Sequence, residues 1–538
     1  MGVLLRRRRE IPSPDAYEAW VAIGDPPPGL DPARRVGDLG AALENAFDAI
    51  AADWWKLGRA LSAEPTAVFG HTPACVANLS DFGLMLAWAR LVADWARARH
   101  TTLVVTDDPW MFRHIAHLTG VEAGAAPRLW RSEARLFLRG YAARLHAALR
   151  FAGAALSLKS GRPGNRGGAA ILVYGHPRSS AAGDDGYFGD LMRKLPGLQR
   201  MLHVDCPPAR ARELMRDGRT ASLHGWGRPL AAARLVWAFW RPSAAWDRHP
   251  AGWLIRRAAK LEGGTAAGTA IGWQQHCQQR WLAAIRPATV AWPWENHAWE
   301  RAFARQGRAL RVRTIGYQHS VIGRHMLNYA PASNPDGTES LPDTVLCSGA
   351  ATAQHLVDWQ LPAERVTVGG AWRIADGRAP IFADDAPVFL PLPFDGRIAA
   401  EMIAAANAVP HRDFLVKQHP MSPHGFDETE RLRGTDRALA DMDRLSAVVY
   451  AASTVGLESL IAGLPTFRFR PRSGMALDIL PQGVDAPAVD HDSLATALAA
   501  PRPGPKLDRC RFFGPVDIEL WRGYLETGTG QVEDAEFA

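Results

Sequence analysis

The sequence predicts an α/β protein made of parallel sheets in more than one domain, and three observations carry that expectation. Short apolar runs suited to buried strands alternate with helical patterns along most of the chain. A length of 538 residues is too great for one ordinary core, so two or three domains are expected. The stretch "RIADGRAPIFADDAP" (373–387) is rich in Pro, Asp and Gly, lacks any period, and marks a domain boundary.

Residues 1–165 read as an N-terminal region of helical additions with basic amphipathic helices, and "AVFG" (67–70) and "TLVVT" (102–106) are its candidate strands. A first sheet domain is expected over 166–375. Its strands are "AAILVYG" (169–175), "MLHVD" (201–205), "TVAWPW" (289–294), "VRTIGY" (312–317), "TVLCSG" (344–349) and "RVTVGG" (365–370). A second is expected over 386–505, from "PVFLPLP" (387–393), "DFLVKQ" (413–418), "AVVYAA" (447–452) and "TFRFR" (466–470). "SGRPGNRGG" (160–168) reads as a hinge. "DIELWRGYLE" (517–526), within a last segment 506–526, reads as a helix crossing back to the first domain, and the final dozen residues as a frayed tail.

With 47% hydrophobic and 22% charged residues the composition is that of a globular protein. Five cysteines scattered singly, with no CxxC, fit a reducing cytosol and argue against a disulfide framework or structural zinc. No apolar run follows the basic start "MGVLLRRRREIPSP", so no secretory signal is expected, and no long uncharged apolar stretch predicts a spanning helix. A P-loop is missing, and "GRPGNRGG" precedes a strand where a dinucleotide fingerprint would follow one. Asp107-Asp108 and Asp384-Asp385 are lone pairs, expected to cap or to face solvent rather than to hold a metal.

The net charge of +7 and pI near 9.3 suggest a polyanionic partner. On a helical wheel over 135–156, Arg135, Arg139, His146 and Arg150 share one side, while Leu138, Tyr141, Leu145, Leu149 and Leu156 share another. Lys159, Arg162 and Arg166 follow, and "RPLAAARLVWAFWRP" (228–242) mixes arginines with Trp237, Phe239 and Trp240. Two readings stay open: segments that lie on an anionic membrane, or ordinary core-facing helices with a solvated side.

Ligands of open parallel sheets bind outside the carboxyl ends of the strands. Three clusters of polar residues sit at such tips. Glu295, Asn296 and His297 follow one strand and open a helix, and Gln318, His319 and Ser320 end the next. In the second domain Lys417, His419 and Pro420 end "DFLVKQ", and Ser453 and Thr454 end the following strand and lead into "VGLESLIAG", which carries Glu458. A helix N-terminus with flanking hydroxyls favours an anion, so Lys417/His419 on one tip and Ser453/Thr454 on the adjacent one form a candidate phosphate cradle. His-Pro alone is close to its chance frequency, with occurrences at 176, 249 and 419, so position is what selects His419.

"ENHAWER", "IGYQHS", "VKQHP" and "STVGLESLIAGLP", in this order, resemble bacterial surface-carbohydrate biosynthesis transferases of the GT-B fold, two Rossmann-type domains facing a cleft. The resemblance runs from about residue 50 to 525. The His-Pro and Ser-Thr pair is also similar to nucleotide-binding motifs of CMP-sialic acid and CMP-Kdo transferases, which implies that His419, Ser453 and Thr454 meet the nucleotide phosphate. Asp184-Asp185-Gly186 fits the acidic motif that bears the base in the sialyltransferase group, which makes Asp185 a substrate-side candidate.

The expectation is a metal-independent glycosyltransferase without a cofactor. It would move a sugar from a nucleotide-activated donor, with CMP as a candidate nucleotide, to a glycan or lipid-linked acceptor of capsule, O-antigen or lipopolysaccharide. Glu295 is the first choice for the base that deprotonates the acceptor and His319 the second, with Asn296, His297, Gln318 and Ser320 on the substrate side. Nucleic acid is not among the expected partners; an anionic membrane surface is, placing the protein in the cytoplasm and peripherally at the inner membrane. The alternatives are a nucleotide-sugar 2-epimerase, a polyol-phosphate transferase, or a non-catalytic envelope scaffold.

Overall fold

A computed structural model describes residues 2–77, 79–98, 100–159, 167–374 and 379–527. Most of the expected hinge at 160–168, with Arg162 and Arg166, lies outside the described residues, as do 375–378 of the boundary stretch and the tail from 528.

Three all-parallel sheets organise the chain. The first contains β1 (Val3–Arg6), β2 (Ala19–Ala22), β3 (Thr102–Val105) and β4 (Val121–Ala123), in the order β2-β3-β1-β4. Of these four, β3 coincides with the expected strand "TLVVT"; the other three were not expected. β1 escaped notice because it is a four-residue run cut off by the basic stretch behind it, and β4 because it is largely exposed and carries no apolar run. "AVFG" is not a strand: Ala67–Phe69 is a single 3-10 turn.

The second sheet holds β5 (Ala169–Val173), β6 (Gln199–Leu202), β7 (Thr220–Ser222), β8 (Thr289–Pro293), β9 (Arg313–Gln318), β10 (Thr344–Cys347) and β11 (Val366–Val368). Its order is β11-β10-β9-β8-β5-β6-β7. The last part of the chain forms β12 (Ile381–Phe382), β13 (Val388–Pro391), β14 (Phe414–Lys417), β15 (Leu432–Gly434), β16 (Arg444–Leu445), β17 (Ala447–Tyr450), β18 (Thr466–Phe469) and β19 (Ala488–Val489). Six of these make the third sheet, β15-β14-β13-β17-β18-β19, and β12 pairs with β16 beside it. In both larger sheets the first strand stands in the middle and the order reverses there, as in a Rossmann fold. The α/β class with two Rossmann-type domains is therefore the observed architecture.

Strands this apolar need cover on both faces. The second sheet is packed on one side by Trp273, Trp281 and Trp292, and on the other by Phe188, Tyr317 and Trp521. Trp521 comes from the terminal helix Ile518–Arg522, and its indole donates to the Gly369 carbonyl at 2.8 Å. The third sheet is filled by Val388, Phe414, Val416 and Phe469 on one face and by Phe389, Val448 and Leu464 on the other.

The N-terminal region ties the two larger domains together. Glu44, on the helix Leu39–Ala49, is buried and accepts a two-pronged bond from Arg468 of β18 at 2.9 and 2.7 Å. Arg470 approaches the same carboxylate at 3.2 Å and Arg324, from the middle domain, at 3.5 Å. Asp108 caps the helix Pro109–Ala116 through the amides of Trp110 and Met111, and Asp384 and Asp385 pair with Arg412 and Arg444.

Candidate functional site

The carboxyl ends of the second and third sheets form the two walls of a cleft. On the first wall β8 runs straight into Glu295, whose side chain keeps 35% of its surface exposed. Burial of the carboxyl raises its proton affinity, and the positive charge of Arg373 opposes this. The backbone under Glu295 is fixed by Glu300. Its Oε2 accepts the amides of Glu295 at 2.8 Å and Asn296 at 3.1 Å and the Trp292 indole at 3.1 Å. Burial, and then the neighbouring Glu295, push Glu300 up to about 8.

Asn296 takes a left-handed backbone (φ 60°), and its amide nitrogen donates to the Asn328 carbonyl at 2.8 Å and to Asn334 at 3.0 Å. Those bonds make it an anchor of the loop. Its neighbour His297 is buried 3.6 Å from Glu295, with burial and then Arg301 pushing it down to about 4. At the next tip Gln318 is buried beside the Tyr329 hydroxyl, and the Ser320 carbonyl accepts the Ser348 hydroxyl at 2.8 Å, binding β9 to β10. His319 is buried edge-on against Tyr187 at 5.0 Å, and among the described residues its Nδ1 has no hydrogen-bond partner. Burial and then Arg373 hold it well below the usual histidine range, so it is neutral at pH 7.

The loop after β5 contains the acidic triplet, and its acids fold the loop itself. Asp185 is buried, accepts the amides of Tyr187 at 2.8 Å and Phe188 at 3.2 Å and the Ser179 hydroxyl at 3.1 Å, and lies 3.9 Å from Arg200. With these bonds Asp185 forms the turn of its own loop. What the loop contributes to the cleft is Arg178 and Tyr187. The Tyr187 ring is the hub of the first wall: His176 meets it at 5.6 Å, His319 at 5.0 Å, and the Arg373 guanidinium lies 5.1 Å from its centre.

On the second wall Lys417 ends β14 and His419 follows. The Met421 amide donates to His419 Nδ1 at 3.3 Å, and Phe394 meets the ring edge-on at 5.5 Å. Pro420 is exposed. Ser453 Oγ accepts the Val455 amide at 3.4 Å, and Thr454 leads into the helix Val455–Ala462 and reaches Glu458 at 3.5 Å. One expectation about this wall needs correction. The tips of β14 and β17 are not adjacent, because β13 lies between them. Two strand spacings, about 10 Å, separate the Lys417/His419 tip from the Ser453/Thr454 tip. The chain order hid this, since β13 precedes both strands in sequence.

Electrostatics connects the walls. Burial and then Arg178 lower Lys417, and burial and then Arg373 lower His419. Burial raises Glu458, opposed by Arg373 and Arg509. Arg373 therefore acts electrostatically on two carboxylates of opposite walls, Glu295 and Glu458, and among the described residues it has no direct ion pair. Sequence reasoning missed it because it lies in the stretch read as a linker. It also missed His176, although that residue ends a strand and precedes a proline just as His419 does.

Two cavities, of about 510 and 570 Å³, lie apart from this cleft; Trp253 and His114 help line the first, and Phe137, Phe239 and Arg144 the second.

No family model matches the chain, and no curated protein matches it in sequence. Similar solved structures include the glycotransferase of kitacinnamycin, at 14% identity over 62% of this chain and 90% of that one, with a TM-score of 0.33. The UDP-GlcNAc 2-epimerase of Methanocaldococcus jannaschii, in complex with UDP-GlcNAc and UDP, has 10% identity, 64% and 95% coverage and a TM-score of 0.36. The lipopolysaccharide outer core galactosyltransferase WaaB has 13% identity, 66% and 94% coverage and a TM-score of 0.30. At such low values the fold class rests on the sheet orders themselves.

Proposed function

We propose that the protein is a glycosyltransferase of cell-surface polysaccharide biosynthesis, taking a sugar from a nucleotide-activated donor bound in the cleft to a glycan or lipid-linked acceptor. The observation that carries this reading is the convergence of Arg178, Arg373 and Lys417, from three separate segments, on the space between two Rossmann sheets, with a proton-accepting carboxyl, Glu295, on one wall. Cations that have no ion pair among the described residues, in a partly dehydrated cleft, suit a phosphate-bearing ligand.

In the transfer, Glu295 takes the proton of the acceptor hydroxyl. The acceptor oxygen then forms its bond to the sugar carbon as the bond from that carbon to the phosphate oxygen breaks. The electron pair stays on the phosphate, where Arg373, Arg178 and Lys417 stabilise it. A raised proton affinity makes Glu295 a better base than an exposed glutamate. His319, neutral and buried, orients rather than ionises. His419, Ser453 and Thr454 add donors on the second wall.

Thermal shift with UDP, CDP and CMP tests the reading, because a ligand of the native state raises Tm by mass action. Stabilisation by one of them supports it; no shift with any of the three favours a scaffold without catalysis.

A further inference from the structure

The helix Leu129–Ser157 turns an apolar stripe to solvent. Its packed face consists of Leu136, Gly140, Arg144 and a series of alanines. Phe137, Leu138, Tyr141, Leu145, Leu149 and Leu156 are all exposed, Leu138 at 67%. At 100° per residue they cover an arc of about 120°, the width of stripe that a globular protein turns inward. Of the fourteen large apolar side chains exposed among the described residues, seven, counting Trp130, lie on this one helix. The segment packed beside it extends the patch through Leu230 and Trp237, and the rings of Tyr141 and Trp237 are 5.5 Å apart. Trp240 of that segment is in the core and takes no part. A contiguous patch of this kind marks an interaction site, whereas single exposed residues do not.

Charge decides what covers it. Arg131, Arg135, Arg139, His146 and Arg150 are exposed along one flank, and Glu133 is the only acid on the helix. Glu133 is itself balanced by Lys260 at 3.5 Å. On the other flank, the cavity of about 570 Å³ adds Arg241 beside Phe137, while Arg256 in the same cavity is paired with Asp247. A second copy of the chain docked here would press two basic rows together, which repel. An anionic lipid surface complements both the stripe and its cationic edge.

We propose that this face docks the protein on an anionic bilayer, with the apolar side chains among the headgroups and the arginine row against the lipid phosphates. Among the described residues no helix is long and apolar enough to cross a membrane, so this attachment is at the surface and reversible. The face shares no residue with the cleft, so it stands or falls independently of the transferase reading.

Cosedimentation of the full chain with phosphatidylcholine vesicles, with and without phosphatidylglycerol, tests it. The expected result is binding only when phosphatidylglycerol is present, weakening as salt is raised. Arg135→Glu, Arg139→Glu and Arg150→Glu together should lower the partition coefficient at least about a hundredfold, since each cation near the surface contributes close to a fivefold gain. Leu145→Ser with Leu149→Ser should lower it as well. Leu145→Ser with Leu149→Ser should keep the parent's Tm, because those side chains are exposed, and the triple variant should remain folded though it loses the bond from Arg139 to the Gly264 carbonyl at 2.8 Å. Failure of the parent to bind phosphatidylglycerol vesicles overturns the proposal, and so does unchanged binding by both variants. A parent dimer in light scattering that Leu145→Ser with Leu149→Ser dissociates, without any vesicle binding, overturns it in favour of a second copy.

Discussion

The two walls of the cleft share one strand order and treat their tips in opposite ways. On the second sheet the tips are dry: His176 and His319 are each only 5% exposed, and both crowd around Tyr187. On the third sheet Lys417, His419, Ser453 and Thr454 are half-exposed; His419 and Ser453 accept nearby backbone amides, and Thr454 reaches Glu458. Burial sets the difference in chemistry. It strips charge from the histidines of the first wall and lifts Glu295, which suits proton transfer; the wetter wall suits a phosphate that must enter and leave.

The contrast can be broken by mutation, and the largest effect is expected on the dry wall. Glu295→Gln should cut turnover about a hundred- to ten-thousandfold, the usual range for loss of a general base, while nucleotide affinity changes less than about threefold. Steady-state kinetics with calorimetry separates these; a parallel loss of affinity would move Glu295 from base to binding group. Arg373→Ala should weaken nucleotide binding roughly ten- to a hundredfold, as expected for one charge-assisted bond. On the wet wall His419→Ala should cost about tenfold in the same titration and leave Tm unaltered. Ser453→Ala should cost only a few-fold, since a neutral hydroxyl contributes about 0.5 to 1.5 kcal/mol.

The walls also differ in how pH acts on stability. Burial, then Arg373 and Arg178, push His176 down to about 4, so the folded state refuses a proton that the unfolded chain accepts near 6.5. Its contribution is present above pH 6.5 and lost as pH falls toward 4. His176→Gln should therefore shrink the drop in Tm between pH 7 and 4.5. Glu300, at about 8, acts in the reverse sense, its contribution present below about 4.5 and lost as pH climbs through 8. A Tm profile of Glu300→Gln with an unchanged alkaline slope would show that Glu300 is ionised throughout.

Much of this cleft was legible because parallel strands announce their ends. An apolar run that stops at Glu295, at His319 or at Lys417 puts that residue at a carboxyl edge, and the structure places each of them there. Adjacency was not legible: β13 sits between β14 and β17 through pairings distant in sequence. The bonds by which Asp185 forms its turn were not legible either, because a buried turn-former and a catalytic acid look alike in three letters. Arg373 was invisible because nothing local distinguishes a linker arginine from one that spans two domains. The apolar positions on the long helix were read as a stripe from their spacing alone, but which way that stripe faced needed the packing of Gly140 and the alanines behind it.

The central claim is that cations from both walls hold a nucleotide phosphate, and calorimetric titration of the parent and Arg373→Ala with UDP, CDP and CMP addresses it most directly. The account predicts that at least one nucleotide binds the parent and binds Arg373→Ala roughly ten- to a hundredfold more weakly, with the two proteins melting alike. Equal affinity in both proteins, or no binding of any nucleotide to the parent, would contradict it.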